Sequence, residues 1–216
     1  MIISKTKPIE EILSFLEGKN NLFISGCAQC ATVCQAGGEK EILEMKKLLE
    51  EAGKMVLNYQ VIDPGCNLLQ AKKDFKLQKE TLEQADAVLS MACGDGTQTL
   101  AKLVKIPVYP ANNTMFIGEI ERVGHYSEMC IACGDCELGW TGGICPITRC
   151  AKSLLNGPCG GSRNGKCETN TETECAWIEI YKKLGELGQL SNLKKIRPPK
   201  DFSTAVKPRK LIIERS

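Results

Sequence analysis

The chain has 216 residues, room for one large domain or two small ones. Hydrophobic residues make up 43% and charged residues 25%, the balance of a globular protein, and a net charge of +2 is too small to argue for nucleic acid. No apolar run approaches the roughly 20 residues that span a bilayer.

Met1 to Asn20 carries Glu10, Glu11 and Glu17 and lacks a continuous apolar stretch, so it is not read as a signal peptide. Ile9, Ile12, Leu13 and Leu16 recur at helical spacing and predict an amphipathic helix. Asn21 to Ser25 is a short apolar strand, followed by Gly26-Cys27. Glu39 to Glu51 predicts a helix with Ile42, Leu43, Met45, Leu48 and Leu49 as its apolar positions and Gly53 as its stop. Lys54 to Ile62 reads as a second strand, ended by Asp63-Pro-Gly-Cys66, and Leu68 to Ala85 as a helix. Asp86 to Ser90 is a third strand ending near Cys93; a helix at Thr97 to Val104 leads to a last strand at Ile106 to Tyr109. Alternating strands and helices imply an α/β domain with a parallel sheet covered by helices. Tyr109 to Thr114 reads as a loop, and the domain boundary is placed between residues 120 and 128. The expected organisation is an α/β domain at 1–124, a small, irregular, cysteine-rich module with a terminal helix at 125–190, and a basic tail at 191–216.

Thirteen cysteines are the anomaly. Without an export signal the expected compartment is the reducing cytoplasm, where stable disulfides are rare, and an odd number argues against a fully paired framework. Dense cysteine there points to metal or redox chemistry. Cys27, Cys66 and Cys93 each follow the end of a predicted strand. In an open parallel sheet all strand C-termini open onto one edge, with neighbouring strands about 4.8 Å apart, so these three converge. A fourth ligand comes from Cys30 or Cys34, Cys30 being nearer the strand end, and the other is a spare thiol. A buried cysteine is often only a small hydrophobe. That explanation suits one strand end better than three.

From Cys130 to Gly165 there is little apolar periodicity and much glycine, so this stretch needs a metal core to fold. Cys130-Ile-Ala-Cys133-Gly-Asp-Cys136 can wrap three corners of a cubane cluster, as in bacterial ferredoxins. Cys145-Pro146 supplies a Cys-Pro, though eight residues separate it from Cys136. Cys150, Cys159, Cys167 and Cys175 follow at a spacing loose for a zinc ribbon; the one histidine, His125, lies in a linker. Eight cysteines make two sites of four and the first five make one, giving three [4Fe–4S] clusters, with zinc at one site as the alternative. A helix from Cys175 to Leu187 places Trp177, Tyr181 and Leu184 on one packing face. Gly94-Asp-Gly96 lacks the remaining features of a phosphate loop and reads as a tight turn presenting Cys93. The tail has eight basic and two acidic residues and three prolines; it reads either as a solvated tail or as an arm ordering on a partner through Leu211-Ile-Ile213.

Two strings are distinctive, Thr141-Gly-Gly-Ile-Cys-Pro146 and Asn156-Gly-Pro-Cys-Gly-Gly161, together with Gly165-Lys-Cys-Glu168 and Cys175-Ala-Trp177. With the run Gly26-Cys27-x2-Cys30-x3-Cys34, the chain over roughly residues 20 to 185 resembles the small iron–sulfur subunit of methylenetetrahydrofolate reductase of acetogenic and related anaerobic bacteria. The resemblance implies a non-catalytic subunit of an oxidoreductase in the acetyl-CoA pathway of one-carbon metabolism. Its partner would be a flavin-containing catalytic barrel, to which it relays electrons from a donor, possible partners including an electron-donor protein. Two other readings stand beside it: a zinc-stabilised scaffold of the same complex, and an enzyme using the five-cysteine site.

Overall fold

A computed structural model of the chain describes residues 1–213. It divides into two compact units, Met1–Ser127 and Glu128–Ser216, of which residues 214–216 lie outside the description.

The first unit is built on a four-stranded parallel sheet in the order β3-β2-β4-β5, formed by β2 (Asn21–Cys27), β3 (Met55–Ile62), β4 (Ala87–Ser90) and β5 (Val108–Pro110). Alternation along β2 explains why both faces are covered. Leu22 and Ile24 point into one core with Ile12, Leu16, Ile42, Met45 and Leu49; Phe23 points into another with Ile62, Ala71, Phe75, Val88 and Leu100. The first core is roofed by α1 (Ile9–Phe15) and α3 (Glu39–Glu51). The second lies under α4 (Leu68–Leu77), α5 (Lys79–Gln84) and α6 (Gly94–Ala101). On α3 the buried stripe is Ile42, Met45 and Leu49, at i, i+3 and i+7, while Leu43 and Leu48 are exposed. The helix expected from Leu68 to Ala85 is two helices that meet at Gln78.

Two expectations fail at the ends of this unit. The N-terminus is not helical from the start: Ile2–Thr6 is a strand, β1, and the helix begins only at Ile9, after Pro8. The segment around Tyr109 to Thr114 is not a loop. It passes from β5 into β6 (Asn112–Arg122), which pairs antiparallel with β1 from Ile2↔Ile117 to Thr6↔Asn112. With β7 (His125–Cys130) these form a second sheet in the order β1-β6-β7, so His125 lies in a strand and not in a linker.

The second unit has short elements only. These are α7 (Pro146–Arg149), the two-stranded ribbon β8 (Lys166–Cys167) and β9 (Asn170–Glu174), and the longer helix α8 (Ala176–Glu186). Helix α8 buries Trp177, Ile180 and Leu184 against Ile144, Cys150 and Leu154. Tyr181, expected on this face, is 58% exposed. The buried stripe runs i, i+3, i+7, and Ile180 takes the place that i, i+4 spacing assigned to the tyrosine.

Candidate metal centres

The parallel register of the first sheet decides where its cysteines go. Cys27 pairs with Ile62 at the ends of β2 and β3, and Ser25 pairs with Ser90 at the end of β4. The turns that leave these strands, through Cys27, Cys66 and Cys93, therefore open on one edge. Close backbone approach holds that edge together. Cys27 N–H donates to the Gly37 carbonyl at 3.0 Å, and a Cβ on Gly26 would stand 2.3 Å from the same oxygen. A Cβ on Gly37 would stand 1.9 Å from the Met91 carbonyl oxygen. Both positions need glycine because the α2–α3 turn lies directly on the strand ends.

Cys30 and Cys34 flank the short helix α2 (Cys30–Val33), at its first residue and at its C-cap. They meet a strand that sequence reasoning missed. The Ile2 N–H donates to Cys30 Sγ at 3.4 Å, and Cys34 Sγ donates to the Ile2 carbonyl at 3.7 Å. Gly65 N–H donates to Cys27 Sγ at 3.5 Å, placing the Asp63–Cys66 turn over that sulfur. Burial pushes the Cys34 thiol up, and the neighbouring Cys30 and Cys93 add to the rise against a lowering backbone hydrogen bond from Ser4. Burial also pushes up Cys66, followed by Asp95, Cys27 and Cys93. Cys93 is thus within electrostatic reach of both Cys34 and Cys66. Of the five, Cys27, Cys34 and Cys93 are buried and Cys66 is exposed.

A second unpredicted residue locks this edge. Asn112, 5% exposed at the start of β6, donates its side-chain amide to Met91 O at 2.7 Å and to Ala36 O at 3.0 Å. Gly94-Asp-Gly96 is the first turn of α6, with Cys93 as its N-cap. The Gly94 N–H is taken by Thr114 Oγ1 at 2.7 Å, as befits a turn that presents a cysteine.

In the second unit, Cys150, Cys159, Cys167 and Cys175 line one small cavity, with Lys152, Glu168 and Trp177 among the other walls. The four come from separate places: the end of α7, the Gly-rich loop, β8 and the N-cap of α8. Lys152 pairs with Glu168, which also accepts from Cys159 Sγ at 3.3 Å; these bonds hold the Glu168 carboxyl below its ordinary range. Hydrogen bonds from Thr169 lower the Cys167 thiol. Cys130 ends β7, Cys133 and Cys136 lie on the loop after it, and Cys145 is the N-cap of α7. Ala132 N–H donates to Cys130 Sγ at 3.2 Å, and Cys145 Sγ donates to Thr148 at 3.6 Å. Among the described residues, no three side chains of His, Cys, Asp and Glu are gathered closely enough to hold a single metal ion.

The residue type is the one that the expected clusters take. All thirteen cysteines are unpaired thiols. The four lining the cavity are the ligand type that iron–sulfur clusters take, and Cys93, Cys145 and Cys175 are the N-caps of α6, α7 and α8.

The tail was expected to be solvated or to order on a partner. Around Arg197 it packs on its own unit. Arg197 exchanges both backbone hydrogen bonds with the Asn156 side chain, at 2.7 and 2.9 Å. Its Nε also bonds the buried Glu137 at 3.0 Å, and its guanidinium lies 4.5 Å from the Trp140 ring centroid. Leu211, Ile212 and Ile213 remain exposed.

Residues 109–203, which contain all eight cysteines of the second group, match the family described as Methylene-tetrahydrofolate reductase C terminal. No curated protein and no solved structure matches the chain. The similarity to that family is confined to residues 109–203.

Proposed function

We propose that the chain is the iron–sulfur electron-transfer subunit of a methylenetetrahydrofolate reductase complex, working between an external electron donor and the flavin of a separate catalytic subunit. The observation that carries this reading is the convergence of Cys150, Cys159, Cys167 and Cys175 on one cavity inside the family-matched segment. Four thiols drawn from distant positions to one space are an all-sulfur donor set, the set a [4Fe–4S] cluster requires.

In this reading Cys150, Cys159, Cys167 and Cys175 hold one cluster. Cys130, Cys133, Cys136 and Cys145 hold a second, being the four that remain. Cys27, Cys66 and Cys93, with Cys30 or Cys34, hold a third. Bound clusters would supply one-electron steps, which a flavin can combine into the two electrons of a hydride. The chain's own groups set the conditions for that chemistry. Backbone N–H groups of Ile2, Gly65, Ala132 and Gly161 donate to the sulfurs of Cys30, Cys27, Cys130 and Cys159. Such bonds stabilise negative charge on sulfur and tune potential. Burial of Cys27, Cys34, Cys93 and Cys175 keeps water from those thiols, while exposed Cys66 and Cys136 give points of close approach for a redox partner.

The test is reconstitution. The flavin subunit, this protein and a low-potential donor should form methyltetrahydrofolate from methylenetetrahydrofolate. A Cys159→Ser variant should lose electron entry while the flavin subunit keeps its own half-reaction. Equal turnover from the same donor without this chain would sink the proposal.

A further inference from the structure

The tail and the loop carrying Cys130, Cys133 and Cys136 run past each other in opposite directions, joined by contacts in matching order. Arg197 bonds Glu137, Lys200 bonds Asp135, Thr204 Oγ1 donates to the Cys133 carbonyl at 3.2 Å, and Arg209 donates to the Ala132 carbonyl. The approach is close. Gly134 has φ +85°, and a Cβ there would stand 2.5 Å from Thr204 Oγ1. Between these clamps lies Lys200, whose side chain is only 2% exposed. Lysine is almost never buried so fully without partners. Its Nζ lies 3.5 Å from the Asp135 carboxylate and donates to the Asp135 carbonyl, the same oxygen to which Cys133 Sγ donates at 3.4 Å. The Phe202 ring covers it from another side, with its centroid 6.0 Å from Nζ.

We infer that the tail is a strap whose purpose is to hold the Lys200 ammonium against the Cys133 sulfur, where it acts as the fixed counter-cation of the cluster held by the Cys130–Cys136 loop. The inference rests on the iron–sulfur reading above. The ammonium is held by geometry, between the Asp135 carboxylate and the Asp135 carbonyl on one side and the Phe202 ring on another. A fixed cation beside a thiolate favours the more negative, reduced state of whatever the thiolate binds, and net charge and hydrogen bonds at sulfur set cluster potential. A salt bridge serving only stability could sit in solvent, as Lys183–Glu186 does. Lys200 is covered instead, and it bonds the carbonyl to which the Cys133 thiol also donates.

The experiment uses the full-length protein, purified anaerobically. Iron and sulfide in the wild type are measured first; their absence refutes the iron–sulfur reading itself. Redox titrations followed by electron paramagnetic resonance then compare wild type with Lys200→Met, Lys200→Gln, Lys200→Arg and Lys194→Met, an exposed tail cation as control. The expected result is that one cluster titrates at a more negative potential in the two neutral variants, stays near wild type in Lys200→Arg, and does not move in Lys194→Met. If both neutral variants lose one cluster while Lys200→Arg keeps it, the cation is required to build the site, which also supports the inference. Unchanged potentials in the neutral variants would reduce Lys200 to a strut, and so would cluster loss in all three variants.

Discussion

The side-chain amide of Asn112 donates to the Met91 carbonyl at 2.7 Å, tying the start of the antiparallel sheet to the turn that delivers Cys93. The same amide reaches Ala36 O at 3.0 Å in the turn after Cys34. One buried side chain thus fixes two of the three approaches to the five-cysteine edge. Replacing it by alanine leaves two buried carbonyls short of a donor. We expect Asn112→Ala to cost about 1–3 kcal/mol in chemical denaturation. A change indistinguishable from zero would mean that water takes over the bonds.

In the second unit the same logic falls on Trp177. It is 4% exposed, lines the four-cysteine cavity and donates Nε1–H to Leu154 O at 3.0 Å. Trp177→Ala should cost about 3–5 kcal/mol and weaken metal retention, because both the packing and the cavity wall are lost. Tyr181→Ala, on the exposed side of α8, should stay within about 0.5 kcal/mol of wild type in the same urea titration. Equal effects of the two would contradict the observed stripe.

Acid sensitivity should have an identifiable contribution from Asp86. Its carboxylate accepts the N–H groups of Asn21 and Asn20, each at 2.8 Å, and these bonds hold its pKa below the ordinary value. A depressed folded-state pKa means that the stabilisation is fully present above the unfolded value of about 3.9 and is lost as pH falls through the folded one. Across that window the urea midpoint of Asp86→Asn should fall less steeply than that of the wild type. Parallel curves would remove Asp86 from the account.

Metal removal should separate the two units. The first has two extensive cores on the faces of its sheet, whereas the second buries little beyond Trp177, Ile180, Leu184 and Cys175. Too little apolar surface is buried there to offset chain entropy. Limited proteolysis of the apo-protein should therefore cut within residues 128–213 and spare the sheet of the first unit. Equal protection of both units before and after chelation would show that the second folds unaided.

The α/β core was readable because apolar strands, each followed by glycine, proline or cysteine, carry their own punctuation, and three strand ends carried cysteine. Strand β6 was hidden for a physical reason. Most of its residues from Asn113 onward are exposed or half-buried, so no apolar alternation marks it, and Asn112-Asn113-Thr114 reads as turn. With β6 unseen, β1 had no partner, and Ile2 and Ile3 alone are too short an apolar run to mark a strand. Spacing listed the eight later cysteines but could not divide them. Cys150, Cys159, Cys167 and Cys175 share a cavity only through the packing of α7, β8 and α8. The strap was invisible because its cations are satisfied by backbone carbonyls and by carboxylates some 60 residues away, while proline and lysine in sequence look like a solvated tail.

The central claim is that these thiols hold iron–sulfur clusters, and anaerobic purification with iron, acid-labile sulfide and zinc measured per chain tests it most directly. Three [4Fe–4S] clusters predict about twelve iron and about twelve sulfide per chain, falling by about four of each in Cys159→Ser. Zinc bound at the cysteines with no acid-labile sulfide would contradict the account and leave a structural scaffold in its place.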